Sequence, residues 1–91
     1  MEKFKNIDDL IAYINNRLDE FTGAMHYIHH EGQAYTIFRR VREHMYVSYS
    51  ISTTLVEQMK ESIHIREDVI ERIIIELNAG SLDLLRMCKQ G

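Results

Sequence analysis

Apolar and polar positions change rhythm twice along the chain. From Ile7 to Phe21 the apolar residues Ile7, Leu10, Ile11, Ile14, Leu18 and Phe21 recur at the spacing of one helical face. Asn6 stands where a helix takes its N-cap, and Asp8 and Asp9 follow in the first turn, where the helix dipole favours acid. Thr22-Gly23 predicts the end of this helix, with glycine as the left-handed cap. A competing reading carries the helix on to His30, because Met25 and Ile28 prolong the stripe; it costs about 1 kcal/mol for the internal glycine.

Between Gln33 and Ile51 the rhythm becomes two. Tyr35, Ile37 and Val41, then Met45, Val47, Tyr49 and Ile51, fall on one face. Thr36, Arg40, Tyr46, Ser48 and Ser50 fall on the other. Arg39 occupies an apolar-face position and is expected near a sheet end or with its charge turned outward. With Ala24 to His30 as a first strand and Glu31-Gly32 as a turn, the stretch predicts a three-stranded meander over roughly 24–30, 33–41 and 45–51. Arg42-Glu43-His44 lacks the Asn-Gly or Asp-Gly signature of a two-residue hairpin, so a longer turn is expected there.

The helical rhythm then returns. Ser52, Thr53 and Thr54 offer three caps, and Thr54-x-x-Glu57 fits a capping box ahead of Leu55, Val56, Met59 and Ile63. Glu67-Asp68 opens a further segment with Val69, Ile70, Ile73, Ile74 and Leu77 inward. Periodicity alone leaves residues 66–77 open between helix and buried strand, and the flanking acids favour helix. Asn78-Ala79-Gly80 reads as a stop, with Ser81 capping a last short helix that carries Leu82, Leu84, Leu85 and Met87. The expected fold is α+β: an N-terminal helix, a three-stranded antiparallel meander, then two or three helices packed on one sheet face. Residues 1–91 make one domain, since 91 residues hold one modest core.

Composition narrows the function classes. The net charge is −3, which argues against a protein that lives on phosphate backbones but leaves room for a local basic patch. The single cysteine, Cys88, cannot form an internal disulfide, so a reduced, cytoplasmic setting is expected. No run approaches the roughly 18 apolar residues of a membrane span, and the N-terminal sequence has no signal-peptide core.

Candidate chemistry is sparse. His26, His29 and His30, with His44 farther on, are the metal-like cluster, but zinc sites draw three or four ligands with cysteine or acid support; ordinary surface histidines are the expected reading. The carboxylate pairs Asp8-Asp9, Asp19-Glu20 and Glu67-Asp68 suit helix ends. Cys88 beside Lys89 has no identifiable histidine partner. The methionines at 25, 45 and 59 are expected in the core. No glycine-rich phosphate loop is present, so no enzyme and no cofactor are expected. The distinctive group is a basic knot interleaved with aromatics: Phe38, Arg39, Arg40, Arg42, His44 and Tyr46, expected to meet a macromolecular partner. The partner would be a protein or ribonucleoprotein, with nucleic acid as an option. A homodimer is a further expectation, because an uncovered sheet face would display Phe38, Tyr46 and Tyr27.

Three families share parts of this pattern. The order helix, meander, two helices resembles small phage-encoded anti-CRISPR proteins that block Cas9, carried by Asn6-Ile7-Asp8-Asp9-Leu10-Ile11 and by Tyr46-Val47 through Val56-Glu57. This likeness implies a non-catalytic inhibitor encoded by a mobile element. Ala34-Tyr35-Thr36-Ile37, Tyr46-Val47 and Glu67-Asp68-Val69-Ile70 running into Ile73-Ile74-Ile75 resemble small-subunit ribosomal protein six, a ferredoxin-like family. That likeness implies ribosomal RNA contact through Arg39, Arg40 and Arg42. Met45 to Ser52 followed by two helices is similar to a ribbon-helix-helix DNA-binding unit, which would make Tyr46, Ser48 and Ser50 the readers.

Overall fold

The computed structural model describes residues 3–90, and side chains as far as Cys88. The element order is α1 (Ile7–Thr22), β1 (His26–Glu31), β2 (Ala34–Arg42), β3 (Met45–Ser52), α2 (Thr53–Glu61) and α3 (Ile63–Gln90). The three strands form one antiparallel sheet in the order β1-β2-β3. The α+β architecture expected from the alternation is therefore present.

Local chemistry sets most boundaries. The Asn6 side chain accepts a hydrogen bond from the Asp9 backbone N–H at 2.9 Å. Gly23 closes α1 with φ 69°, and its N–H donates to the Asp19 carbonyl. This left-handed residue ends the helix, which rules out the extension to His30. Gly32 takes φ 61° at the first position of the two-residue Gly32-Gln33 turn, where a hairpin turn of type II′ requires glycine.

The second turn differs from expectation. Only Glu43 and His44 separate β2 from β3, so the turn is short. His44 supplies the left-handed residue at φ 63°, and the register shifts between Arg40 and Arg42. A bulge at Val41 and a positive φ at His44 replace the Asn-Gly chemistry that a straight two-residue hairpin would need.

One sheet face is covered. Its central pairs are Ile28↔Ile37, Ile37↔Tyr49 and Tyr35↔Ile51. They pack with Leu10, Ile14 and Leu18 of α1, Val56 and Met59 of α2, and Ile70, Ile73 and Leu77 of α3. Burial of large apolar side chains is the main stabilising term here. Several residues of the expected apolar faces are not in it, among them Ile63, which is 39% exposed. Phe21 is 72% exposed at the end of α1, Met25 is exposed, and Met45 is half-buried. Met59 is fully buried.

The helices after the sheet are divided elsewhere than expected. Ser52 is the cap of α2: its side chain accepts from the Leu55 N–H at 3.1 Å, so Thr54 lies inside the helix. The break falls at Ser62, an extended residue (φ −128°, ψ 122°) whose hydroxyl accepts from the Ile65 N–H. Ile63 therefore belongs to α3. Buried Arg66 closes the corner by donating to the Met59 and Lys60 carbonyls and lying over the Phe4 ring. Residues 66–77 are helical, which settles the Ile73-Ile74-Ile75 ambiguity.

Asn78-Ala79-Gly80 does not stop the chain. The helix runs through all three, and Ser81, rather than capping a new helix, donates its hydroxyl to the Leu77 carbonyl. Gly80 has a positional reason to be small. A Cβ built there would lie 3.6 Å from Val47 of β3, so α3 rides close over the sheet at this point.

Candidate functional site

The other sheet face carries no helix, and there the interleaved aromatics converge. The pairs Tyr27↔Phe38 and Phe38↔Ser48 place Tyr27 and Phe38 side by side, and Arg40↔Tyr46 sets Tyr46 one step along. Strand alternation puts all of them on the uncovered face. The Tyr27 and Tyr46 rings meet edge to face, with centroids 6.3 Å apart. Tyr27, Phe38 and Tyr46 line a depression of about 370 Å³, and each tyrosine remains 47% exposed. The rest of the face is polar: the Thr36 and Ser50 hydroxyls pair across the strands at 2.9 Å with Ser48 alongside, and His29, Glu31 and Arg40 share the same side.

Five of the six residues singled out from sequence stand at or beside this surface. Phe38, Arg40 and Tyr46 lie on it. Arg42 and His44 lie at the β2–β3 end of the sheet, where His44 is within 3.5 Å of Glu43 in an exposed contact. Arg40 and Arg42 make no ion pair among the described residues, so their charges are available to a partner. Tyr27 joins the surface through the register, as the uncovered-face reading anticipated.

Arg39 does not belong to it. It points into the covered side and is only 6% exposed. It pairs with His26, the first residue of β1, and so lies near that end of the sheet, but its charge is not turned outward. Its Nε donates to His26 Nε2 at 3.0 Å, and its Nη1 donates to the Asn78 side-chain oxygen on α3. Because a guanidinium can only donate, His26 Nε2 accepts and the ring proton sits on Nδ1. From there it is donated to Asp19 Oδ1 at 2.8 Å, and the same oxygen accepts the His26 backbone N–H at 3.0 Å. A carboxylate, an imidazole, a guanidinium and an amide thus link α1, β1, β2 and α3. Burial lowers the Arg39 pKa from its ordinary value. Arg39 Nη2 is buried without a hydrogen-bond partner.

The histidines separate accordingly. His26 is 3% exposed, so it is a core residue rather than a surface one. His30 shares its side of the strand but stacks on Tyr35 at 4.2 Å, and His29 lies on the opposite side. Among the described residues no three His, Cys, Asp or Glu side chains are grouped to hold a metal ion. Cys88 is exposed, with its sulfur 3.8 Å from that of Met45.

The outer side of the helical layer has its own features. Arg17 donates to both carboxylate oxygens of Glu67, at 2.7 and 2.9 Å, and to the Tyr13 hydroxyl. The Glu67 contact, ahead of the cost of burial, raises the Arg17 pKa. A groove of about 420 Å³ beside this clamp is lined by Phe21, Ile70, Glu71, Ile74 and Ile75 as well as the clamp itself. It escaped the sequence reading because Phe21 and Ile75 continue apolar stripes whose other members are inward.

No helix among the described residues is long and apolar enough to cross a membrane. No protein-family model, curated protein or solved structure matches the chain.

Proposed function

We propose that this is a small, non-catalytic regulatory or inhibitory protein, of the type mobile elements encode, that acts by binding a protein or ribonucleoprotein through the uncovered face of its sheet. The observation that carries the reading is the cluster of Tyr27, Phe38 and Tyr46 on that face, with Arg40 beside it making no ion pair among the described residues. Aromatic and arginine side chains dominate the energetic centres of interfaces: the rings bring large area with few torsions to order, and the guanidinium brings a planar, pre-organised set of donors. The hydroxyl residues Thr36, Ser48 and Ser50 add a polar border on one side.

The test is capture by the tagged chain and by a Tyr27→Ser/Phe38→Ser/Tyr46→Ser variant. The expected result is a stoichiometric macromolecule held by the first and lost by the second, with both folded. Equal capture by both, or a tight small-molecule complex with no macromolecule, removes the reading.

The pairing of Arg40 and Arg42 with exposed rings favours a second reading, RNA contact, since rings stack on bases while guanidinium groups meet phosphates. It predicts binding of a generic single-stranded RNA that weakens steeply with salt and collapses in an Arg40→Ala/Arg42→Ala variant. No binding at low salt excludes it. Arg39 is left out of that variant because its charge is spent inside the fold.

A further inference from the structure

The solvent face of α3 is self-complementary in charge and in apolar character. Asp68, Glu71, Ile75, Ala79, Leu82 and Arg86 are all exposed. At 3.6 residues per turn they fall within about 80° of arc, on the side away from the buried Ile70, Ile73 and Leu77. The order along this stripe is acid, apolar, small, apolar, base. Ile75 is 52% exposed and Leu82 is 56% exposed, high values for large aliphatic side chains on a helix whose opposite side is fully packed.

We propose that this stripe is an interface between two copies of the chain, formed by antiparallel pairing of α3 with α3 of the second copy. A two-fold axis passing midway between Asn78 and Ala79 brings Ile75 opposite Leu82 of the other copy and Glu71 opposite Arg86. Both contacts then occur twice, as an isologous interface demands. Charge complementarity fixes the direction. Parallel pairing in register would set Glu71 against Glu71 and Arg86 against Arg86. Antiparallel pairing joins opposite charges at both ends, and Asp68, one turn before Glu71, keeps that end negative.

Ala79 lies at the centre, where a small side chain lets two helices approach within ordinary packing distance. The groove edged by Phe21, Ile74 and Ile75 runs beside the stripe and offers apolar surface to the Leu82 side of the incoming helix. Arg86 is free to reorient: its contact with Asp83 is 3.8 Å long and both side chains are 74% exposed, so it holds the arginine weakly. The face is remote from the aromatic cluster, so a dimer built this way would present two copies of the uncovered sheet surface.

Sedimentation equilibrium of the full chain from micromolar to millimolar concentration tests the assignment. The wild type is expected to form dimers and no larger species. Ile75→Asp or Leu82→Asp should weaken association at least about tenfold, because each removes two apolar contacts per dimer. Glu71→Arg alone and Arg86→Glu alone should each weaken it through like-charge contacts. An equimolar mixture of those two variants should form a heterodimer, since each chain then carries the charge the other lacks. Circular dichroism shows whether each variant is folded. The proposal is overturned by a wild type that stays monomeric throughout. It is equally overturned by a dimer that these substitutions leave intact while Phe38→Ser disperses it, or by a mixture that associates no better than its components.

Discussion

Arg39 donates through Nε to His26 Nε2 at 3.0 Å, and both side chains are almost wholly withdrawn from solvent. A cation therefore lies on the covered side of the sheet, one imidazole away from the Asp19 carboxylate. Arg39→Ala should cost about 2–4 kcal/mol, because it leaves the buried His26 nitrogen without a donor and opens space between β2 and α3. Arg39→Met should cost less, as it refills the space. Urea unfolding measures both. The pKa of Arg39 is lowered by burial, so the folded state disfavours its charge; that cost is constant wherever arginine is protonated and lifts only at strongly alkaline pH. Partner capture by Arg39 variants should fall only as far as their folded fraction falls.

Gly80→Ala should stabilise the protein by about 1 kcal/mol. The residue sits inside a helix, where glycine is costly, and the new Cβ would meet Val47 at 3.6 Å, an ordinary contact. Gly80→Leu should destabilise, since the longer side chain must push α3 away from β3. Thermal melts of the two variants should therefore move in opposite directions.

Ser52→Ala should cost about 1 kcal/mol, the usual worth of a helix N-cap, whereas Thr54→Ala should be neutral or slightly favourable. Equal losses from the two substitutions would mean that the capping box Thr54-x-x-Glu57 is used after all.

Glu67→Gln should cost about 0.5–1 kcal/mol, reduced by salt, because the Arg17–Glu67 pair is more than one-third exposed. The Arg17 pKa is raised, chiefly by its contact with Glu67. The stabilisation is therefore complete below the ordinary arginine pKa and is lost only as pH rises past the higher folded value. The difference between wild type and variant, measured by denaturant titration, should stay flat from neutral to mildly alkaline pH.

Much of this fold was legible because local chemistry and burial agree. Asn6 and Gly23 bound α1, and the alternation from Tyr35 to Ile51 identifies the covered face. The departures have physical causes outside any local window. Asn78-Ala79-Gly80 carries the composition of a stop, yet Asn78 is engaged by Arg39, and Gly80 is small because β3 passes beneath it. The true break at Ser62 contains neither glycine nor proline and depends on Arg66 reaching back to the α2 carbonyls. Arg39 looked like a member of the basic knot because Arg40 and Arg42 follow it closely, but side chains alternate along a strand. Its partners, His26 and Asn78, are distant in sequence. Phe38, Arg40 and Tyr46 were readable as one surface because they depend only on that alternation.

The Gly32-Gln33 turn lies at the end of the sheet opposite Arg42, and β2 between them spans about 30 Å at the rise of an extended chain. The Gln33 carbonyl accepts the Thr53 N–H at 2.9 Å, which ties this tip to the start of α2. A fluorophore attached through a cysteine at Gln33, with Cys88 replaced by serine, would report on a ligand seated among the rings without touching it. Its side chain is exposed, and its anchored backbone would keep the dye's position defined.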